Sequence, residues 1–400
     1  MWEQIRSNQR RSFLVVSLMG VLLVAMGMAV GALLVPDEGG LVLGGLVALF
    51  VWFVLWLVTV SGGDDILLGL ARAREIRKQD HPQLFNVVEE MTIASSLGKP
   101  PRVFIVDDAS PNAFATGRRP DKAAVAVTTG LLRLLDRNEL QGVVAHEIGH
   151  IKNRDVALMT TTGIMLGTIV LLADLGTRML WLGGGRRSRS SSGGGGQAQA
   201  VILVVAIVFM ILAPILAQLV YFALSRRREY LADASGAMFT RYPEGLASAL
   251  EKLGGSRAPL ADESRVTAPM YIVQPLRARS GRRASSLFAT HPPIEERIRI
   301  LRGMAGGAGL REYAKAYEAI KRRSLVGNRT LKETESVEMR AAGAVEGERP
   351  HERARMASNA VLTAAGYDLR TCKQCGATLK IPPSLRGKLR GCPRCDGSLE

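Results

Sequence analysis

The sequence predicts a mainly helical α+β protein with an N-terminal transmembrane hairpin, a second helical hairpin, a small β-sheet and a compact C-terminal module. Three observations predict it: a few long uncharged runs, short extended segments between them, and four cysteines confined to the last thirty residues. Hydrophobic residues make up 47% of the 400-residue chain, and the formal net charge is +16. With apolar runs present, this charge favours a phospholipid surface as the anionic partner.

The first predicted element is a transmembrane hairpin within residues 1–63, with helices at about 13–35 and 41–60. Both stretches lack charged residues and are long enough to cross a bilayer. A cleaved signal peptide is the alternative, but its apolar core would span only about 7 to 15 residues. Arginines flank both outer ends, so the positive-inside rule predicts cytosolic ends and an external turn.

Residues 64–325 are predicted to form the main domain. His81-Pro82 opens a helical pattern, and Arg102–Asp107 has the pattern of a strand. Two further extended pieces, Pro111–Gly117 and Ala123–Thr128, precede a helix that starts at Leu131 and leads to His146.

A second apolar hairpin is predicted inside this domain, at 157–182 and 201–224. If it spans the membrane, the arginine-containing segment between its helices lies outside, against the positive-inside rule. The alternative is a hairpin that packs on the membrane face or on the domain.

The helix after Leu131 contains His146-Glu147-x-x-His150. Two histidines four residues apart share one helical face, so both can bind one metal ion, with Glu147 beside any bound water. By chance alone, such a match could be two exposed histidines next to a surface acid. Apolar residues at 143, 144, 145 and 148 predict a buried helix instead, on which histidines need partners.

A hydrolytic zinc site takes three protein ligands. Glu229, in Arg228-Glu229-Tyr230-Leu231-Ala232-Asp233, is the candidate third ligand. Asp233 lies one turn later and could accept the second ring N–H of a ligating histidine. A solvated acidic face paired with Arg226 and Arg228 is the alternative.

The four cysteines predict a zinc ribbon at 368–400, after a flexible linker at 326–367. Their pattern is C-x2-C-x16-C-x2-C, formed by Cys372, Cys375, Cys392 and Cys395. This spacing indicates four thiolates around one structural zinc, with a redox dithiol pair as the alternative. Basic residues on so small a module are usually solvated surface, so nucleic acid is not expected as a partner.

Four motifs together resemble the HtpX-like membrane metalloproteases of the M48 peptidase family. They are Asn112-Ala113-Phe114-Ala115-Thr116-Gly117, His146-Glu147-x-x-His150, Ser225-Arg226-x-Arg228-Glu229-Tyr230-x-Ala232-Asp233 and Thr290-His291-Pro292-Pro293-x-Glu295-x-Arg297. They occur in the family's order, and the resemblance covers roughly residues 1 to 305. The zinc ribbon is a departure, because the usual HtpX-like chain lacks it.

The resemblance implies a gluzincin-type zinc endopeptidase domain in a multi-pass protein of the bacterial inner membrane, with both termini cytosolic. Its implied substrates are unfolded or damaged membrane proteins. Glu147 would activate a zinc-bound water. His291 would lie near the metal as an oxyanion partner or switchable ligand, unless it only packs before Pro292. Asn112, Ala113, Phe114 and Ala115 would form an edge strand that binds extended peptide.

Two other functions stay open from the sequence. One is a processing protease for specific precursors, as in the prenyl-protein branch of the same family. The other is a non-catalytic membrane scaffold with structural zinc sites, whose ribbon recruits a partner that the sequence does not identify. If the protein is a protease, two zinc ions are expected per chain, one catalytic and one structural.

Overall fold

A computed structural model of the 400-residue chain describes most of the sequence. The described residues are 2–35, 38–117, 119–183, 196–256, 292–304, 306–332, 334, 336–340, 350–386, 388–389 and 391–397.

The secondary structure is mainly helical. The helices are α1 Trp2–Leu34, α2 Glu38–Leu70, α3 Pro82–Ala94, α4 Thr129–Leu134, α5 Arg137–Lys152, α6 Asp155–Gly183, α7 Gly196–Thr240, α8 Pro243–Gly255, α9 Ile294–Arg302, α10 Leu310–Lys321, α11 Asn328–Lys332 and α12 Pro350–Ala364. The strands are β1 Arg74–Glu75, β2 Arg102–Val106, β3 Ala113–Thr116, β4 Ala124–Thr128, β5 Asp368–Thr371 and β6 Thr378–Ile381.

The chain divides into two compact units. The first comprises the described parts of Met1–Ile66, Asn153–Glu229 and Arg282–Pro292. Its apolar core is formed by α1, α6 and α7, through Met19, Leu23, Met26, Met165, Ile169, Ala173, Ala213 and Ala217. Within the described residues, Gly39–Leu57 is long and apolar enough to cross a membrane, and Val16–Ala32 is a shorter apolar segment. Both predicted N-terminal helices are therefore present as helices.

Small residues allow α1 and α2 to approach closely. Gly27 and Gly31 lie one turn apart on α1, facing Gly44 and Ala48 on α2. A Cβ at Gly44 would lie 2.2 Å from the carbonyl oxygen of Gly27 and 2.8 Å from the Cα of Gly31. Such small-residue spacing is the usual way for membrane helices to bring their backbones together.

The second unit comprises Leu67–Lys152, Tyr230–Gly281 and Pro293–Glu400, in their described parts. It contains a four-stranded sheet in the order β1-β2-β4-β3. Strands β2 and β4 are parallel, with Phe104 opposite Ala126, and β3 is antiparallel to β4, with Phe114 also opposite Ala126. Leu68, at the end of α2, packs with these residues on one face of the sheet.

The helix predicted to start at Leu131 is in fact two helices. The backbone of Leu135 is extended at the end of α4, and α5 begins at Arg137. Asp136 and Glu139 stabilise the new start reciprocally: Glu139 N donates to Asp136 Oδ1 at 3.0 Å, and Asp136 N donates to Glu139 Oε2 at 2.9 Å. This is a capping box, which provides hydrogen-bond partners for amides at a helix start.

The segment predicted as a flexible linker, 326–367, contains two helices, α11 and α12. Helix α12 packs against α4, β1 and β2. Within residues 336–340, the carbonyl of Val337 accepts from Ala308 N at 2.7 Å, and Arg340 N donates to the carbonyl of Arg241 at 2.9 Å. The prediction of little fixed structure was wrong there because these contacts come from distant parts of the chain.

Candidate metal centres

Helices α5 and α7 approach closely at the first candidate centre. A Cβ at Gly149 would lie 3.0 Å from the Cβ of Ser235, and a Cβ at Gly236 would lie 3.2 Å from the backbone nitrogen of His146. The two glycines therefore leave room for one helix against the other. The histidine motif of α5 consequently faces the segment of α7 that carries the acidic motif.

Three of the predicted ligands come together here. The donor atoms of His146, His150 and Glu229 all lie within 4.8 Å of one another. The Nε2 atoms of the two histidines are 3.2 Å apart, and the rings are nearly perpendicular at 88°. Two nitrogens on a tetrahedral zinc, each about 2.05 Å from the metal, would be about 3.3 Å apart. The donor set and its spacing therefore fit a zinc ion.

Buried charged residues contact His146 on the side of its ring that carries Nδ1. Asp233 Oδ1 lies 2.9 Å from His146 Nδ1. Arg297, from α9, donates to the same carboxylate twice, from Nη2 to Oδ1 at 2.6 Å and from Nε to Oδ2 at 2.8 Å. With Nδ1 directed at Asp233, His146 presents Nε2 toward His150 and Glu229. A carboxylate in this position fixes the ring orientation and raises the basicity of a metal-binding imidazole.

The burial of this cluster changes the protonation of two of its members. Burial lowers the pKa of His146, although the neighbouring Asp233 opposes the shift. Burial alone would raise the pKa of Asp233, but the charge and hydrogen bonds of Arg297, with those of His146, lower it overall. The cluster therefore favours a neutral imidazole beside an ionised carboxylate, which is the state that a metal-binding histidine requires.

Glu147 and the predicted substrate-binding residues lie at two neighbouring elements, α5 and β3. Glu147 follows His146 on α5 and is buried, with 2% of its surface exposed. Ala113, Phe114 and Ala115 lie on β3, directly after Asn112, and β3 packs against α5. His291 lies outside the described residues.

The contact between Arg297 and Asp233 was not predicted from the sequence. Arg297 lies in one of the predicted motifs, but no local pattern indicates that this arginine contacts Asp233, 64 residues earlier in the chain. Arginine is rarely buried without a partner. Tyr313 was also missed, and its hydroxyl donates to Asp233 Oδ2 at 3.4 Å.

The four cysteines form the second candidate centre. Their sulfur atoms lie within 4.8 Å of one another, with Cys372 3.6 Å from Cys395 and Cys375 3.7 Å from Cys392. Sulfur atoms on a tetrahedral zinc, each about 2.3 Å from the metal, would be about 3.8 Å apart. These distances fit a zinc ion and exceed a disulfide bond length of about 2.05 Å.

Two similar turns present these cysteines. Gly376 N donates to the carbonyl of Cys372 at 2.9 Å, and Asp396 N donates to the carbonyl of Cys392 at 2.8 Å. Gly376 and Asp396 both have positive φ, at 68° and 55°. Backbone amides of Cys375 and Gln374 lower the pKa of Cys372 to about 6. The first turn therefore favours the thiolate form at Cys372 before a metal binds.

Comparisons with known proteins agree with this geometry. Residues 78–305 match the profile of Peptidase family M48. The chain is 44% identical over 303 residues to "Protease HtpX homolog" of Dictyoglomus thermophilum, covering 76% of this chain and 94% of that protein. It is 40% identical over 305 residues to the protein of the same name from Streptococcus uberis, covering 76% of this chain and 100% of that protein.

Among solved structures, the chain is similar to "Crystal Structure of S. mikatae Ste24p", with a TM-score of 0.37 and 16% identity. That match covers 74% of this chain and 66% of the other. The match to the family profile and the identity to these relatives show the family of this chain. The chain belongs to peptidase family M48 and is a membrane metalloprotease of the HtpX type.

Proposed function

We propose that this metalloprotease is a zinc endopeptidase that hydrolyses peptide bonds of misfolded or damaged membrane proteins at the cytosolic face. His146, His150 and Glu229 are the proposed zinc ligands, and Glu147 is the proposed general base. The observation that carries the proposal is the convergence of two imidazoles and a carboxylate within 4.8 Å, supported from behind by Asp233. A purely structural site would have no need of the additional carboxylate of Glu147.

When bound, zinc would polarise the scissile carbonyl and acidify a water molecule. Glu147 would accept the proton of that water and return it to the leaving amine. Its burial keeps bulk water from competing for this carboxylate. Asp233 would hold Nδ1 of His146 so that Nε2 keeps its position while charge develops, which is the usual task of a carboxylate behind a ligating histidine.

Substrate binding is proposed at β3. This strand stands at one end of the sheet order, is antiparallel to β4 and packs against α5, which carries His146 and Glu147. An extended peptide that follows Asn112–Ala115 would thus run alongside the proposed catalytic helix. Recognition through main-chain hydrogen bonds depends on an extended shape more than on sequence, which suits unfolded segments of many proteins.

The proposed topology has the catalytic residues and both termini in the cytosol. Support comes from the charges after α2, where Arg72, Arg74, Arg77 and Lys78 follow the apolar segment. Support for a membrane-spanning second hairpin comes from the first unit, where residues of α6 and α7 share a core with the apolar middle of α1. Residues at the same depth as a spanning helix are expected to lie in the bilayer as well.

We also propose a second, structural zinc held by Cys372, Cys375, Cys392 and Cys395. The ribbon would serve as a binding module for a partner. The two turns and the sulfur spacing support this assignment. A closed four-thiolate site has no open coordination position for substrate, so the catalytic role falls to the histidine centre.

The deciding experiment compares the wild type with Glu147→Gln in proteoliposomes that contain an unfolded membrane protein. We expect Glu147→Gln to keep its zinc and to lose cleavage, because the amide cannot accept the proton. Glu318→Gln, the same change at an exposed position of α10, is the matched control and should cleave normally. Normal turnover by Glu147→Gln would reject the catalytic assignment.

The same assay separates the alternative functions. A precursor-processing enzyme would leave the unfolded protein intact but cleave a folded precursor at one site. A scaffold would bind zinc and cleave neither substrate in the wild type.

A further inference from the structure

Helix α10 lies beyond residues 78–305, the part that matches the family profile. It places Tyr313, Tyr317 and Lys321 at intervals of four residues, so all three lie along one face of the helix. That face is directed at α7 and α9, the two helices that supply Asp233 and Arg297.

Two contacts seat α10 against these helices. The ring of Tyr317 packs edge-on against the ring of Tyr230, with centroids 4.9 Å apart. Lys321 Nζ lies 2.9 Å from Glu296 Oε2, and Glu296 also accepts a hydrogen bond from the Tyr230 hydroxyl. Aromatic pairs with this geometry stabilise by about 0.5–1.5 kcal/mol beyond the burial of their surface. The two contacts fix the position of α10 next to the residue that follows Glu229.

The third residue of the face, Tyr313, reaches the cluster behind His146. Its side chain is fully buried, and its hydroxyl lies 3.4 Å from Asp233 Oδ2. Oδ1 of Asp233 therefore contacts His146 Nδ1 and accepts a hydrogen bond from Arg297. Oδ2 accepts hydrogen bonds from Arg297 and Tyr313. An ionised carboxylate has about four lone-pair sites, so these contacts fill its acceptor capacity.

We infer that Tyr313 is a positioning residue for the histidine metal centre and acts through Asp233. When the Tyr313 hydroxyl no longer donates, one acceptor site of the Asp233 carboxylate is empty. The carboxylate can then rotate toward the guanidinium of Arg297, and its hydrogen bond with His146 weakens. His146 then presents Nε2 to the metal less precisely. A helix outside residues 78–305, the part that matches the family profile, thus completes the support of a metal centre whose ligands all lie within that part.

This inference rests on the proposed metal centre, and Tyr313→Phe tests it. The change removes one oxygen and keeps the ring, so the buried site stays filled. The control is Tyr317→Phe, which removes the same atom one turn later, where the ring makes the contact with Tyr230. Full-length protein in detergent is measured by competition for zinc with a chelator and by the visible spectrum after cobalt substitution. Thiolate-to-cobalt bands of the ribbon report its occupancy separately.

We expect Tyr313→Phe to bind zinc at the histidine centre about threefold to tenfold more weakly than Tyr317→Phe does. This loss is smaller than the loss of about 10- to 100-fold in metal affinity that is typical when a residue bonded directly to a ligand is changed. The cobalt bands of that centre should change, whereas the ribbon bands should not. Equal affinities and equal spectra would overturn the inference. Failure of the wild type to bind zinc at the histidine centre would instead reject the proposed function.

A double-mutant cycle separates positioning from general destabilisation. If Tyr313 acts through Asp233, then Tyr313→Phe adds no further loss of zinc affinity in the Asp233→Asn background. Additive losses in the cycle would overturn the inference, because they would show that the two residues act independently.

Discussion

Arg297 and Asp233 form an ion pair in which neither side chain is exposed to solvent. The guanidinium donates from Nε and Nη2 to both oxygens of the carboxylate, at 2.8 and 2.6 Å. This planar fork is a geometry that lysine cannot reproduce. Because His146 contacts the same carboxylate, the pair links the stability of the domain to the orientation of a proposed zinc ligand.

We expect Arg297→Lys to reduce both the stability and the zinc affinity of the protein. Breaking a buried ion pair costs about 3–5 kcal/mol when one charge is left without compensation, and a lysine would compensate only in part. Thermal unfolding in detergent and zinc content measure the two effects. Arg302→Lys is the control, since Arg302 lies on the same helix in a partly exposed pair with Glu244 and Glu251. Equal behaviour of the two variants would show that the fork is unimportant.

Much of the second unit could be predicted from local patterns. The helix after His81-Pro82 and the three longer strands fall where local patterns predict them, because the helix buries a regular apolar face and the strands are runs of mostly buried residues. The capping box at Asp136 and Glu139 is also a local pattern, and it indicates that a new helix, α5, starts after α4 ends. The pairing order of the strands, with β4 between β2 and β3, was beyond local patterns.

Some residues of the candidate sites could likewise be predicted from local spacing, whereas others could not. Spacing on one helix made His146 and His150 a pair, and spacing between cysteines defined the ribbon. Asp233 could be placed near a histidine because it lies one turn after Glu229. Arg297 and Tyr313 could not be placed, because their contacts with Asp233 depend on how α9 and α10 pack on α7. Tertiary packing also explains why α12 forms inside a segment of mixed charge.

Changing Cys372 and Cys375 to serine should lower the zinc content from two ions per chain to one. Serine is a poor zinc ligand, and the remaining thiolates cannot complete a tetrahedral site. Metal analysis of the purified protein measures the content. The reciprocal variant, His146→Ala with His150→Ala, should lose the other ion and keep the ribbon zinc. A wild type with a single zinc ion would show that one of the two proposed centres does not bind zinc.

Gly44→Ala should destabilise the N-terminal helical hairpin. The added Cβ would meet the Gly27 carbonyl oxygen at 2.2 Å, so α1 and α2 must separate, and overpacking of this kind typically costs about 1–3 kcal/mol. The midpoint of thermal unfolding in a fixed detergent measures the loss. Gly69→Ala on the same helix is the control, because nothing lies within 4 Å of a Cβ there. This control should be neutral or slightly stabilising, since alanine favours helix by about 0.5–1 kcal/mol over glycine.

His81 should make the stability of the second unit depend on pH. Its Nδ1 accepts a hydrogen bond from Leu84 N at 3.2 Å and so caps the start of α3. Burial lowers its pKa below the ordinary value of 6.5, although a backbone hydrogen bond opposes the shift. The unfolded chain therefore binds the proton more readily than the folded one, and the stabilising contribution is complete above about pH 6.5 and decreases as the pH falls toward the folded pKa.

The variant His81→Asn isolates this contribution, because asparagine keeps a capping oxygen and does not titrate. We expect the wild type to lose more thermal stability than His81→Asn between pH 7.5 and pH 5.5. His351→Asn, a change of the same kind at an exposed position of α12, should follow the wild type. Parallel losses in wild type and His81→Asn would mean that protonation of His81 does not open the start of α3, and that other groups set the response to acid.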